Sequence, residues 1–139
     1  MPVLEYGPPI TLAEARRVAD AAFDEAERNG WAMVIAVHDS TGHPVLLHKM
    51  DHAQYASLDL AHAKARTATH FKRPTKVFEE AITQGGMALR LLSATGICLF
   101  EGGLPLMRDG RLVGGIGVSG ASSEQDTQVA LAGVRALEA

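Results

Sequence analysis

Apolar residues recur at three- and four-residue spacing early in the chain, at Leu12, Ala15, Val18, Ala19, Ala22, Phe23 and Ala26. Arg16, Arg17, Asp20 and Asp24 fall mostly off that stripe, so the segment is predicted to be a helix with one packed face and one wet face. Thr11-Leu-Ala-Glu14 supplies a capping box at its start, and Asn29-Gly30 ends it in the left-handed geometry glycine allows. Trp31–His38 and His43–Met50 then read as strands joined through Asp39-Ser40-Thr41-Gly42. Met33, Ile35 and Val37 point one way and Val34 and Ala36 the other, so both faces are apolar and both need cover. A chain this small is expected to borrow part of that cover from a second copy of itself.

Further on, an alanine- and leucine-rich helix is predicted from Gln54 to Phe71, stopped by Arg73-Pro74. Thr75 can cap a short helix reaching Ala81 or Thr83, Gly85-Gly86 breaks the chain, and Met87–Leu92 forms another helical turn. Strands are expected at Ile97–Phe100, Leu104–Met107 and Arg111–Ser119, and a last helix at Ser123–Leu137, capped by Ser122 or Ser123. Asp109-Gly110 between two apolar runs marks a tight hairpin, since both residues tolerate positive φ. The element order is α+β, with a mostly antiparallel five-stranded sheet and a helical insertion between strands 2 and 3. Absence of repeats, low-complexity tracts and linkers makes residues 1–139 one domain.

The second strand of that hairpin carries glycines at 114, 115 and 117. Glycine weakens a strand unless something must come close, so a ligand, a helix or another subunit is expected against this backbone. With Glu101-Gly102-Gly103 upstream and Glu124-Gln125-Asp126 opening the last helix, this corner is the expected functional surface.

Composition narrows the classes. Aromatics are only 5% of the chain, so the core must be built from Ala, Val, Leu, Ile and Met. A net charge of −3 with no basic cluster leaves no electrostatic footprint for nucleic acid. A single cysteine, Cys98, excludes an internal disulfide and a multi-cysteine zinc site. No apolar segment approaches the roughly 20 residues needed to span a bilayer, and the N-terminus lacks a secretory pattern. The expected compartment is the cytoplasm.

Val-Gly-Gly-Ile-Gly-Val-Ser-Gly-x-x-x-Glu-Gln-Asp, preceded by Glu-Gly-Gly-Leu-Pro-Leu and by Lys64-Ala-Arg-Thr67 with Arg73-Pro74-Thr75, resembles the GlcG/HbpS-like family from about Ile10 to the end. That family includes haem-binding proteins, proteins of glycolate-utilisation operons and the C-terminal domain of some corrinoid adenosyltransferases. The resemblance implies a profilin-like fold, with terminal helices on one face of a five-stranded sheet, and a homo-oligomer. It also marks Lys64 and Thr67 as constrained positions, without saying whether by structure or function.

Candidate chemistry follows from the residue types. Six histidines are present. His38 and His43 flank the first hairpin turn, where a two-residue loop would set them opposite each other, and a neutral imidazole there can ligate haem iron or simply line an exposed turn. His70, a third haem-ligand candidate, follows Arg66 by four on one helix face, whereas Lys64 and Arg66 cannot face the same way. Arg66 is the natural clamp for a carboxylate or haem propionate, or else part of a solvated helix face. Glu101 and Asp126 are the candidate general bases, the alternative for Asp126 being plain helix-terminal stabilisation. Lys64, Arg66, Thr67, Gly102, Gly103, Gly115 and Gln125 make up the expected ligand-binding set, and no metal motif such as His-Glu-x-x-His occurs. Gly114–Gly120 lies inside an antiparallel strand, which rejects a dinucleotide fingerprint, and Ser119 lacks the nucleophile-elbow spacing. Two function classes stand: a binding protein for haem or another tetrapyrrole, and a cofactor-independent enzyme acting on a small organic acid.

Overall fold

A computed structural model describes residues 3–139; Met1 and Pro2, the start of the proline-rich leader, lie outside them. The elements run α1 (Leu12–Arg28), β1 (Val34–Asp39), β2 (Pro44–Lys49), α2 (Ala56–Phe71), α3 (Lys76–Gln84), a 3-10 segment (Gly86–Ser93), β3 (Gly103–Arg108), β4 (Arg111–Ser119) and α4 (Ser123–Glu138). The sheet is antiparallel in the order β2-β1-β4-β3. Local chemistry sets the ends. Thr11 and Glu14 close a capping box on α1, and Ser122 and Gln125 close one on α4. Asp109 and Gly110 both take positive φ in the β3–β4 turn, as their residue types require.

Alternation along β1 and β4 sorts their side chains between two layers. Ile35, Val37, Ile116 and Val118 pack with Val18, Ala22 and Val129 of α1 and α4, which lie together on one face. Val34 and Ala36 face the other way, onto Ala61 and Ala65 of α2. The second apolar face of β1 is thus covered by the chain's own helix, which corrects the expectation that a second copy is needed there.

Among the described residues four strands form the sheet, where five were expected. Ile97–Phe100 is the missing one: the Cys98 N–H goes to the Thr67 hydroxyl of α2, 2.9 Å away, instead of to a neighbouring strand. A short apolar run fits a groove wall as well as a strand, and here it lies against a helix. The leader instead approaches β4, Tyr6 forming an isolated parallel bridge with Leu112. Thr75 also departs from its expected role, because its hydroxyl accepts the Gly103 N–H (2.9 Å) rather than capping α3. No helix among the described residues is long and apolar enough to cross a membrane.

Candidate functional site

The glycine-rich corner is filled by the chain itself. Lys64, 2% exposed, reaches across from α2 to donate to the Val118 carbonyl (2.8 Å) and to the Asp126 carboxylate (2.9 Å). The other Asp126 oxygen accepts the Ala121 N–H at 3.0 Å. Burial pushes the Asp126 carboxyl above its ordinary value, and the Lys64 ammonium and the Ala121 N–H oppose that push. Gly102 has to lack a side chain, since a Cβ there would stand 2.7 Å from the Val118 oxygen and 2.9 Å from Lys64 Nζ. At Gly103 a Cβ would run into the Lys64 carbonyl and Thr75.

The remaining residues expected in this corner are engaged as well. Glu101, 7% exposed rather than open, accepts from the Thr127 hydroxyl at 2.7 Å. Thr67 is buried and holds Cys98. Gln125 spends its side chain on the α4 capping box, accepting the Ser122 N–H at 3.2 Å. Gly115 faces α2, with the Ala65 carbonyl 2.6 Å from where its Cβ would be. Arg66 lies outside the corner and gives Nε and Nη2 to one acceptor, the Gly96 carbonyl (3.1 and 2.8 Å). Neither candidate base therefore stands open to a ligand: folding buries both, pairing Asp126 with Lys64 and Glu101 with the half-buried Thr127.

The three histidines of the sequence analysis do gather, around the β1–β2 turn, but not as a facing pair. The Asp39 N–H meets the His43 carbonyl, so His38 registers with Pro44 and turns inward while His43 stays exposed. His38 Nδ1 lies 2.9 Å from the Gly42 carbonyl, and its Nε2 2.9 Å from His62 Nδ1. A carbonyl can only accept, so His38 carries its proton on Nδ1 and His62 donates from Nδ1 to His38 Nε2. His70 Nε2 donates to the Thr41 carbonyl (3.0 Å), and His43 Nδ1 lies 2.8 Å from the Thr41 hydroxyl. Both nitrogens of His38 are spent holding the turn to α2, which removes it as an iron ligand in this fold. His62, its partner, is a residue that sequence reasoning left unassigned.

This pair makes stability depend on pH. Burial drives His38 down from 6.5 to about 4, and burial together with the Arg66 charge lowers His62. A depressed folded value means full stability above pH 6.5 and loss as pH falls toward 4. The drop corresponds to about 3 kcal/mol for His38. Urea denaturation at pH 7, 5.5 and 4 is expected to show that loss in the parent chain and a flatter profile in His38→Gln. Equal slopes in the two proteins would assign the effect to other groups.

Open surface lies elsewhere. A groove of about 310 Å³ runs between α2 and the 91–100 segment, with apolar walls that include Leu60, Ala63, Leu91 and Phe100. A larger one, about 460 Å³, runs between α1 and the β2 edge and is lined by Asp20, Phe23, Leu47, His48, Lys49 and Met50. His48 is half-buried there, its ring edge-on to Phe23 at 6.4 Å between centroids, and neither of its nitrogens has a hydrogen-bond partner among the described residues. Sequence inspection places His48 near a strand end and goes no further. Its inward face was readable from the alternation with Leu46, which packs toward α1.

A family model described as "Haem degrading protein HbpS-like" matches residues 10–135. Protein GlcG of Escherichia coli K12 is 37% identical over 105 residues, 76% of this chain and 77% of that protein. A crystal structure of Klebsiella pneumoniae protein ORFY superposes with a TM-score of 0.91 at 31% identity, covering all of this chain and 97% of that one. A crystal structure of a PduOC–haem complex superposes at 0.84 with 29% identity, over 92% of this chain and 94% of that one. With sequence likeness spread from α1 to α4 and the same sheet and helices beneath it, the chain belongs to the HbpS-like family.

Proposed function

We propose that this protein binds haem or a related tetrapyrrole. The supporting likeness is to the PduOC–haem complex and to HbpS structures. Within this chain, the observation that carries the proposal is the α1–β2 groove, where an imidazole without a protein partner meets apolar walls. Its residues fit the group. His48 is a neutral-imidazole ligand type for iron, while Phe23 and Met50 offer apolar contact to a macrocycle. The α2 groove lacks a nitrogen or sulfur ligand type other than Cys98, whose thiol burial pushes up and so keeps protonated. Bound haem would supply the iron chemistry; the chain's own part is to hold the ring, orient the imidazole and shield one face from water.

Assembly into a homo-oligomer is part of the same proposal. It is supported by the free edge of β2, by the exposed Leu92 and Phe100 around the α2 groove and by the exposed Met87 beside α3. The small-organic-acid enzyme has no comparable support, because Arg66, Glu101 and Asp126 are separately engaged rather than gathered around a cavity. Titration of the purified chain with haemin tests the proposal: a saturable Soret band at a fixed ratio of haem per chain is expected. Featureless, non-saturating absorbance would overturn it.

A further inference from the structure

The geometry points to the groove between α3 and the 3-10 segment as a binding site for a small carboxylate with an apolar body, its charge shared by Arg73 and Arg90. The groove shares no lining residue with the one between α1 and β2, and the proposed site does not depend on haem binding.

Local sequence builds the groove. Gly85 and Gly86 both take positive φ, which lets the chain reverse out of α3 and pack the 3-10 segment against it. Val77, Phe78 and Ala81 recur at helical spacing on α3, while Met87 and Arg90, three apart, eclipse on the 3-10 segment. Arg73 enters from the link between α2 and α3, and these side chains enclose about 270 Å³. Its Nε donates to the Phe71 carbonyl at 2.9 Å, and its guanidinium stands 6.0 Å from the centre of the Phe78 ring.

Charge singles this groove out. Two guanidiniums line it, and neither meets a carboxylate among the described residues. Arg73 keeps both Nη groups, and Arg90 its whole guanidinium, without a hydrogen-bond partner there. The carboxylates of α3 are engaged elsewhere: Glu79 accepts the Glu101 N–H (3.2 Å) and Glu80 pairs with Lys76 (3.9 Å). In a chain of net charge −3 this is a local positive site, and its complement is an anion. Water screens the repulsion between the two arginines, and a carboxylate between them would convert it into charge-assisted contacts.

The walls define the rest of the ligand. Phe78 is buried and Val77 and Met87 are exposed, so hydrocarbon faces the arginines across the groove. A bare inorganic anion would leave that surface wet. Small-molecule sites start at about 300 Å³, which sets the ligand near the size of an aryl or short alkyl acid.

Isothermal titration of the full chain with 3-phenylpropionate is the test. Saturable binding is expected, with the uncharged 3-phenylpropionamide at least tenfold weaker. Arg73→Gln and Arg90→Gln should each weaken binding about tenfold, the scale of one charge-assisted contact. Ala81→Glu, which brings a carboxylate into the groove, should abolish it. Arg90 is exposed and makes no side-chain bond, so its variant decides the matter even where Arg73→Gln fails to fold. Equal binding of acid and amide, or by the parent and Arg90→Gln, would overturn the proposal. So would a parent chain that takes up no probe; if Met87→Asp then dissociates that chain, the groove belongs to a second copy. Haemin should leave the affinity for the probe unchanged, and competition between them would hand the groove to the tetrapyrrole instead.

Discussion

Gly117→Val is expected to leave no cooperatively folded protein. A Cβ at this position would overlap the Ala61 carbonyl and come within 2.5 Å of the Ala65 amide nitrogen, both backbone atoms of α2. Backbone cannot rotate away as a side chain can, so the helix would have to lift from the sheet. Lifting it would undo the cluster of Val34, Ala36, Ala53, Ala61 and Ala65. Strand propensity alone favours valine, on a scale spanning about 1 kcal/mol. Overpacking typically costs about 1–3 kcal/mol and more where nothing can yield, against a total stability of only about 5–15 kcal/mol. Gly115→Val is the milder companion: its Cβ meets the Thr69 hydroxyl and, at 2.6 Å, the Ala65 carbonyl. A loss of about 1–3 kcal/mol is expected there. Circular dichroism and urea melts of both variants are the measurement. A Gly117→Val protein with parental stability would mean that α2 does not sit on this strand.

The glycines also illustrate how far the sequence could be read. Their spacing announced a close neighbour, which the fold identifies as a helix of the same chain rather than a ligand or a subunit. Local rules carried the elements whose cause is local: the Asp109-Gly110 turn, the Thr11–Glu14 capping box and the serine cap of α4 depend on residues within four positions of each other. Failures came where the cause is distant. Ile97–Phe100 has the composition of a strand, and only the placement of Thr67 on α2 decides that its backbone bonds to a helix hydroxyl. The His38–His62 contact spans 24 positions and needs the registry of α2 against β1, which no spacing rule encodes. His48 was missed for a related reason. A lone histidine on an edge strand is unremarkable until α1 forms the opposite wall of a groove.

Asp126→Asn is expected to cost about 3–5 kcal/mol, the range for breaking a buried ion pair from one side. Taken as an exposed charge in the first turn of α4, the same residue would be worth only about 0.3–1 kcal/mol, so the two accounts differ severalfold. The burial of both partners decides for the larger figure: Asp126 is 4% and Lys64 2% exposed. Without the carboxylate, the Lys64 ammonium stays enclosed with the Val118 carbonyl as its remaining strong acceptor. The pair ties the middle of α2 to the end of β4 and the start of α4, elements far apart in sequence. Replacing both ends, Lys64→Met with Asp126→Leu, should recover most of the loss, because a well-packed apolar pair can match a buried ionic one. Urea denaturation of the single and double variants, with haemin titration of each folded protein, separates architecture from function. Loss of stability in Asp126→Asn, recovery in the double variant and haemin affinity unchanged throughout would make the corner a structural clasp. An Asp126→Asn protein that melts like its parent and binds haemin more weakly would return this carboxylate to the ligand site.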